Sequence, residues 1–193
     1  MGAWQQLVIE GPSHEARGFA AGVLAEAGAP EGCAYWGEDL GLEHHTLRQR
    51  LATMLRGESH DELFVPEQFA DAVVDALRRG GAAVGLVLAA RRRVRSARFA
   101  FHADTPSRDA RDRIRGTLVE SLPTGAGLDD LAEEEVEDPG ARGVELYTPA
   151  PEYRYRIRGT VSGDPGAVFA TYRAARDIDF VHVDALHVET IPY

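Results

Sequence analysis

Lysine is absent from this chain: all 21 basic residues among its 193 are arginine. That removes Schiff-base chemistry, pyridoxal-phosphate enzymes of the usual type and the P-loop lysine in one step. Cysteine is nearly absent too, and the lone Cys33 excludes an internal disulfide and every metal site built from several cysteines. No apolar run approaches the roughly 18 residues that a membrane-spanning helix needs, and residues 1–6 (MGAWQQ) lack the basic start and apolar core of a signal peptide. A cytoplasmic protein with no membrane partner is therefore expected. A G-x-S-x-G elbow, an H-E-x-x-H helix motif and a P-loop are all missing. Gly80-Gly81 ends a helical pattern, whereas a phosphate loop places its glycines before a helix. These absences lean against an enzyme and against a resident cofactor.

What is present is an ordinary globular composition, 44% hydrophobic and 27% charged. A chain of this length buries roughly 70% of its unfolded surface. The net charge is −10, but the segment 129–138 (DDLAEEEVED) holds seven of the 31 acidic residues, leaving 24 acids against 21 arginines elsewhere. A nearly balanced body does not offer the basic excess of a polyanion-binding surface, so a nucleic-acid partner is not expected.

Periodicity divides the chain into short elements. Residues 5–10 read as a buried strand, and Ser13 caps a helix with Glu15 in its first turn and Phe19, Val23, Leu24 and Ala27 on one face. A short strand at 33–36 precedes a helix capped by Thr46, with Leu47, Leu51, Met54 and Leu55 as its apolar stripe. Residues 62–65 form a strand, Pro66-Glu67 opens a helix with Phe69, Val73, Ala76 and Leu77, and 82–90 is an apolar strand. Arg91, Arg92 and Arg93 mark a turn into a return strand at 95–102, where Ala97, Phe99 and Phe101 alternate with Arg98, Ala100 and His102. Ser107 caps another helix. Residues 123–143 read as an acidic connection with a short helix around Leu128 and Leu131, ahead of a strand at 143–148. At 152–161, Tyr153, Tyr155 and Ile157 oppose Arg154, Arg156 and Arg158; Asp164-Pro165 opens the last helix and 180–191 is the final strand.

The order from 62 to 148 is β-α-β-β-α-β, the split βαβ plan called ferredoxin-like. The expected fold is thus α+β, with antiparallel sheets, helices on one face and a duplicated plan. A central unit at 61–149 and a lobe built from 1–60 plus 150–193 are expected, one compact domain over 1–193 being the alternative.

The run Glu62-Leu63-Phe64-Val65-Pro66-Glu67, followed by an amphipathic helix and Gly80-Gly81-Ala82-Ala83-Val84-Gly85, resembles the strand-helix-glycine opening of the ferredoxin-like insert in Nif3-type proteins, and more distantly CutA and PII-type domains. The resemblance covers residues 62–85 and implies small-molecule binding or oligomer assembly. The metal-binding histidine and acid motifs of the Nif3 catalytic halves have no counterpart here.

Three sets of residues are candidates for chemistry. In a regular final strand His182 and Asp184 share one face, and His187 and Glu189 the other; a bulge at Ala185-Leu186 brings the four together as a zinc-type site. His44-His45 precede a helix N-terminus and read as loop residues, while His14, His60 and His102 are isolated in the sequence. The arginines Arg93, Arg95, Arg98, Arg154, Arg156 and Arg158 suit bidentate binding of phosphate or carboxylate, or else pair with carboxylates such as Glu145, Asp184 or the acidic segment. An RNA platform is disfavoured because Tyr153 and Tyr155 alternate with the arginines and face the helices. The sequence thus points to a homo-oligomeric, non-catalytic module that binds a small anion or a protein partner. The alternative is a metal-dependent hydrolase carrying a divalent ion such as zinc.

Overall fold

A computed structural model describes residues 3–42, 59–136 and 154–193. The helix expected after Thr46, the histidines His44 and His45, the strand at 143–148, Glu145 and Tyr153 lie outside the described residues. The elements are β1 (Trp4–Gly11), α1 (Ser13–Glu26), β2 (Tyr35–Trp36), β3 (Ser59–Pro66), α2 (Glu67–Gly80), β4 (Val87–Thr105), α3 (Arg108–Arg115), β5 (Ala126–Val136), β6 (Arg154–Gly163), α4 (Pro165–Arg176), β7 (Val181–Val183) and β8 (His187–Pro192). The chain divides into two compact units, residues 1–96 with 188–193 and residues 97–187.

In the first unit the strand order is β2-β3-β1-β4, and the pairs β2–β3, β3–β1 and β1–β4 are antiparallel. Taken along the chain this is β-α-β-β-α-β, the ferredoxin-like plan. Leu7 and Ile9 of β1 lie beside Leu63 and Val65 of β3, under Ala16 and Ala20 of α1 and Ala70, Val73, Val74 and Leu77 of α2. The α2 residues recur at i, i+3, i+4 and i+7, which is why one face of that helix is buried. Each large apolar side chain in this cluster contributes about 1.5–3 kcal/mol by leaving water.

The second unit repeats the plan. Its order is β5-β6-β4-β7, running β4-α3-β5-β6-α4-β7 along the chain. Phe99, Phe101, Tyr155, Ile157 and Val161 point to the helix side and are buried with Ile114, Leu118, Val168, Phe169 and Tyr172. Phe99 meets Tyr172 edge to face at 5.2 Å between centroids. The α+β class and the duplicated antiparallel plan hold, but in a different frame from the expected split at 61–149. The reason is that β1 pairs with both β3 and β4, drawing the N-terminal strand-helix pair into the same sheet as the 62–90 segment.

A trace of this duplication is present in the sequence. Pro12-Ser13-His14-Glu15-Ala16-Arg17 and Pro106-Ser107-Arg108-Asp109-Ala110-Arg111 stand at equivalent helix entrances. Ala16 and Ala110 are both buried. Arg17 reaches Glu38 and Asp39, and Arg111 reaches Asp112 and Glu135. Ser107 caps α3 by accepting from the Ala110 N–H. Ser13 does not cap α1; it is the first helical residue, and its hydroxyl donates to the Asp61 carboxylate at 2.8 Å.

Two expected elements are corrected. Arg91, Arg92 and Arg93 do not turn: they lie within the 19-residue strand β4, opposite Leu7, Gln6 and Gln5. Buried Gln5 and Gln6 make this possible, accepting from Arg91 at 2.6 Å and Arg92 at 3.3 Å. Residues 129–136 of the acidic segment are not a connection with a helix but part of the edge strand β5, with a bulge between Asp129 and Ala132. Acid-rich sequence is poor in strand propensity, and tertiary charge overrides it here. Arg111 of α3 pairs with Glu135, and Arg115 with Glu133 and Glu120.

Tyr155 is buried beneath this cluster and donates its hydroxyl to Glu133 at 3.1 Å. Burial first, and the Glu133 carboxylate second, push its phenol up to about 12. A raised folded-state pKa means that the contribution of Tyr155 to stability is complete below the unfolded phenol value, about 10, and is lost as pH rises through 12. Urea midpoints measured across that window will fall in the wild type, and the fall will be smaller in Tyr155→Phe. A second prediction concerns Gly11, at φ +139°, where an added Cβ would stand 2.5 Å from the Gly85 carbonyl oxygen. Gly11→Ala will lower stability by about 2 kcal/mol or more in urea denaturation.

Candidate functional site

The sheet of the second unit has one face under α3 and α4 and an opposite face whose side chains are largely exposed. Alternation selects the residues on that face: Arg98, Ala100, His102 and Asp104 from β4, Arg154, Arg156, Arg158, Thr160 and Ser162 from β6, His182 from β7 and Glu134 from β5. Register arranges them in rows. His182, His102 and Arg158 are direct cross-strand neighbours, as are Asp104, Arg156 and Glu134 in the next row.

The Asp104 row is internally neutralised. Asp104 accepts from Arg156 at 2.9 Å and lies 3.9 Å from Arg154, and Arg156 lies 3.9 Å from Glu134. Ser162 donates to Asp129 at 2.7 Å. Arg98 and Arg158, both exposed, have no carboxylate partner among the described residues. They bracket Ala100 and Thr160, which are opposite one another and leave a low floor between the guanidinium groups.

The arginine set drawn from the sequence therefore separates. Arg93 lies over the Tyr193 ring at 4.9 Å, and Arg95 is held by Glu189 at 3.0 Å, both in the first unit. Arg154 and Arg156 are matched by Asp104, leaving Arg98 and Arg158 as the members available to a ligand. The metal set separates too. The final strand breaks at Asp184 to Leu186, between β7 and β8. His182 lies 3.6 Å from Asp184, whereas the Glu189 carboxylate is taken by Arg95 and Ser96. Among the described residues no group of three or more His, Cys, Asp or Glu is arranged to hold a metal ion.

His102 is the residue that sequence spacing missed. It is far from any other histidine in the chain, yet its ring centroid is 4.7 Å from that of His182. The only sequence signal was its place on the exposed parity of an alternating strand. His14 contacts Glu15 and His60 contacts Glu10, each by a single carboxylate. Burial pushes the Cys33 thiol up, away from the thiolate that nucleophilic chemistry uses. A surface depression of about 370 Å³ lined by Arg111, Asp112, Arg115, Glu120 and Glu135 is already matched in charge and belongs to the pairs that hold β5.

No protein-family model and no curated protein matches the sequence. Two solved structures are similar along the chain. One is an unknown protein from Galdieria sulphuraria, 14% identical, with 99% of each chain covered and a TM-score of 0.26. The other is a protein provisionally assigned as a glycine cleavage system transcriptional repressor, 8% identical, covering 100% of this chain and 99% of that one, with a TM-score of 0.31. At these values the likeness carries no argument about chemistry, and the α+β class rests on strand order and register.

Proposed function

We propose that the protein is a non-catalytic module that binds a small anion, a phosphate or carboxylate group, on the exposed sheet face of its second unit. The observation that carries this reading is the pair Arg98 and Arg158. Both are exposed and without a carboxylate partner among the described residues, and they flank the low floor of Ala100 and Thr160. Along a strand, four residues span about 13–14 Å, a gap that two arginine side chains leaning inward close to the width of one oxyanion. Planar guanidinium groups grip such a group through parallel N–H donors. Thr160 adds a hydroxyl donor at the floor.

The surroundings limit the ligand to a small one. Asp104 and Glu134 offset Arg154 and Arg156, and Asp129 and Asp184 add further negative charge, so an extended polyanion meets repulsion on either side. Among the described residues of this face none is an activated nucleophile, which supports binding over catalysis.

Titration of the protein with inorganic phosphate at low ionic strength, followed by calorimetry, tests the reading. Saturable binding is expected, with Arg98→Ala and Arg158→Ala each weakening it about tenfold, the loss of one charge-assisted contact near 1.4 kcal/mol. Arg95→Ala, whose guanidinium is engaged by Glu189, leaves it unchanged. Binding that survives both Arg98→Ala and Arg158→Ala, or no saturable binding at all, overturns the proposal.

A further inference from the structure

We infer that His102 and His182 form a two-histidine clamp for a divalent transition-metal ion, with Asp184 orienting His182 from behind. The two residues are direct cross-strand partners on β4 and β7. Their ring centroids are 4.7 Å apart and the ring planes tilt by 45°. Two imidazoles that share one ion at about 2.0–2.1 Å have ring centres roughly 5 Å apart when the angle at the ion lies between square-planar and tetrahedral. The observed spacing already matches.

The backbone beneath is held in place. The Asp184 N–H donates to the Ala100 carbonyl at 2.9 Å, which closes the β4–β7 ladder next to the histidine pair. His182 Nε2 lies 3.6 Å from Asp184 Oδ1, just beyond hydrogen-bond distance, and Nδ1 on the other side of the ring is left for the ion. A carboxylate that closes to hydrogen-bond distance behind a ligating histidine orients its ring. Both side chains are open to solvent, that of His182 being 67% exposed, so an ion can enter without any rearrangement of the core.

Charge sets both the class of ion and the strength of the site. Imidazole nitrogens select zinc, nickel or copper over magnesium and calcium. Arg158, opposite His102, opposes a dication, and Asp184 offsets it. With two protein nitrogens the clamp leaves coordination positions open to water or to an anion. It differs from the set drawn from the final strand: His102 takes the place that His187 and Glu189 were expected to fill. The clamp does not depend on the anion seat between Arg98 and Arg158.

Tag-free, chelator-treated protein titrated with zinc and with nickel in phosphate-free buffer tests the inference by calorimetry. One ion per chain is expected, with His102→Gln and His182→Gln each weakening binding by at least about tenfold and Asp184→Asn by about tenfold. All three positions are exposed, and matched urea midpoints in metal-free buffer will show that the variants fold. A copper(II) spin-resonance spectrum with two coupled nitrogens, reduced to one in either histidine variant, supports the clamp independently. Absence of saturable binding overturns it. So does affinity unchanged in His102→Gln, or a loss produced by His187→Gln instead.

Discussion

The period-two alternation of β4 is the constraint on which the rest of the structure depends. Over its 19 residues this strand pairs with β1 in its first part and with β6 and β7 in its second. A slip of one residue in its register with β6 would send Phe99 and Phe101 to water and Arg98 and His102 into the core. Burial of the two phenylalanines therefore holds Arg98 and His102 on the exposed face. The candidate chemistry is positioned by hydrophobic packing on the opposite side of the same strand.

Charge acts differently on the two faces of the second unit. On the helix side, Arg111 and Arg115 meet Glu135 and Glu133 and lock an acid-rich edge strand over Tyr155. On the open side, Arg154 and Arg156 share Asp104 in solvent, where such pairs are worth well under about 1 kcal/mol. Those exposed pairs add little stability. Their effect is to cancel local charge, so that Arg98, Arg158 and the two histidines stand out against a neutral background.

Several elements were legible before any coordinates. The opposite parities of Tyr155 and Ile157 against Arg154, Arg156 and Arg158, the Ser107 cap, the entry of α4 at Asp164-Pro165 and the 3.6-residue stripe of α2 all follow from short-range rules. The arginine run at 91–93 and the acids of β5 were misread because local composition outweighed partners far away in the chain. Buried Gln5 and Gln6 accept from Arg91 and Arg92, and α3 supplies arginines to Glu133 and Glu135. The paired Pro-Ser-x-acid-Ala-Arg entrances to α1 and α3 show that the duplication itself was written in the chain.

By itself, then, the sequence determined most of the helices and strands, the α+β class, the lack of lysine and multi-cysteine chemistry, and the parity of the alternating strands, because these depend on residue type and on neighbours one to four positions away. Only the tertiary structure decided which strands lie side by side. That choice matched Asp104 to Arg154 and Arg156, left Arg98 and Arg158 without a carboxylate among the described residues, and set His102 beside His182. Strand pairing joins residues by register, across separations in the chain that no local pattern records.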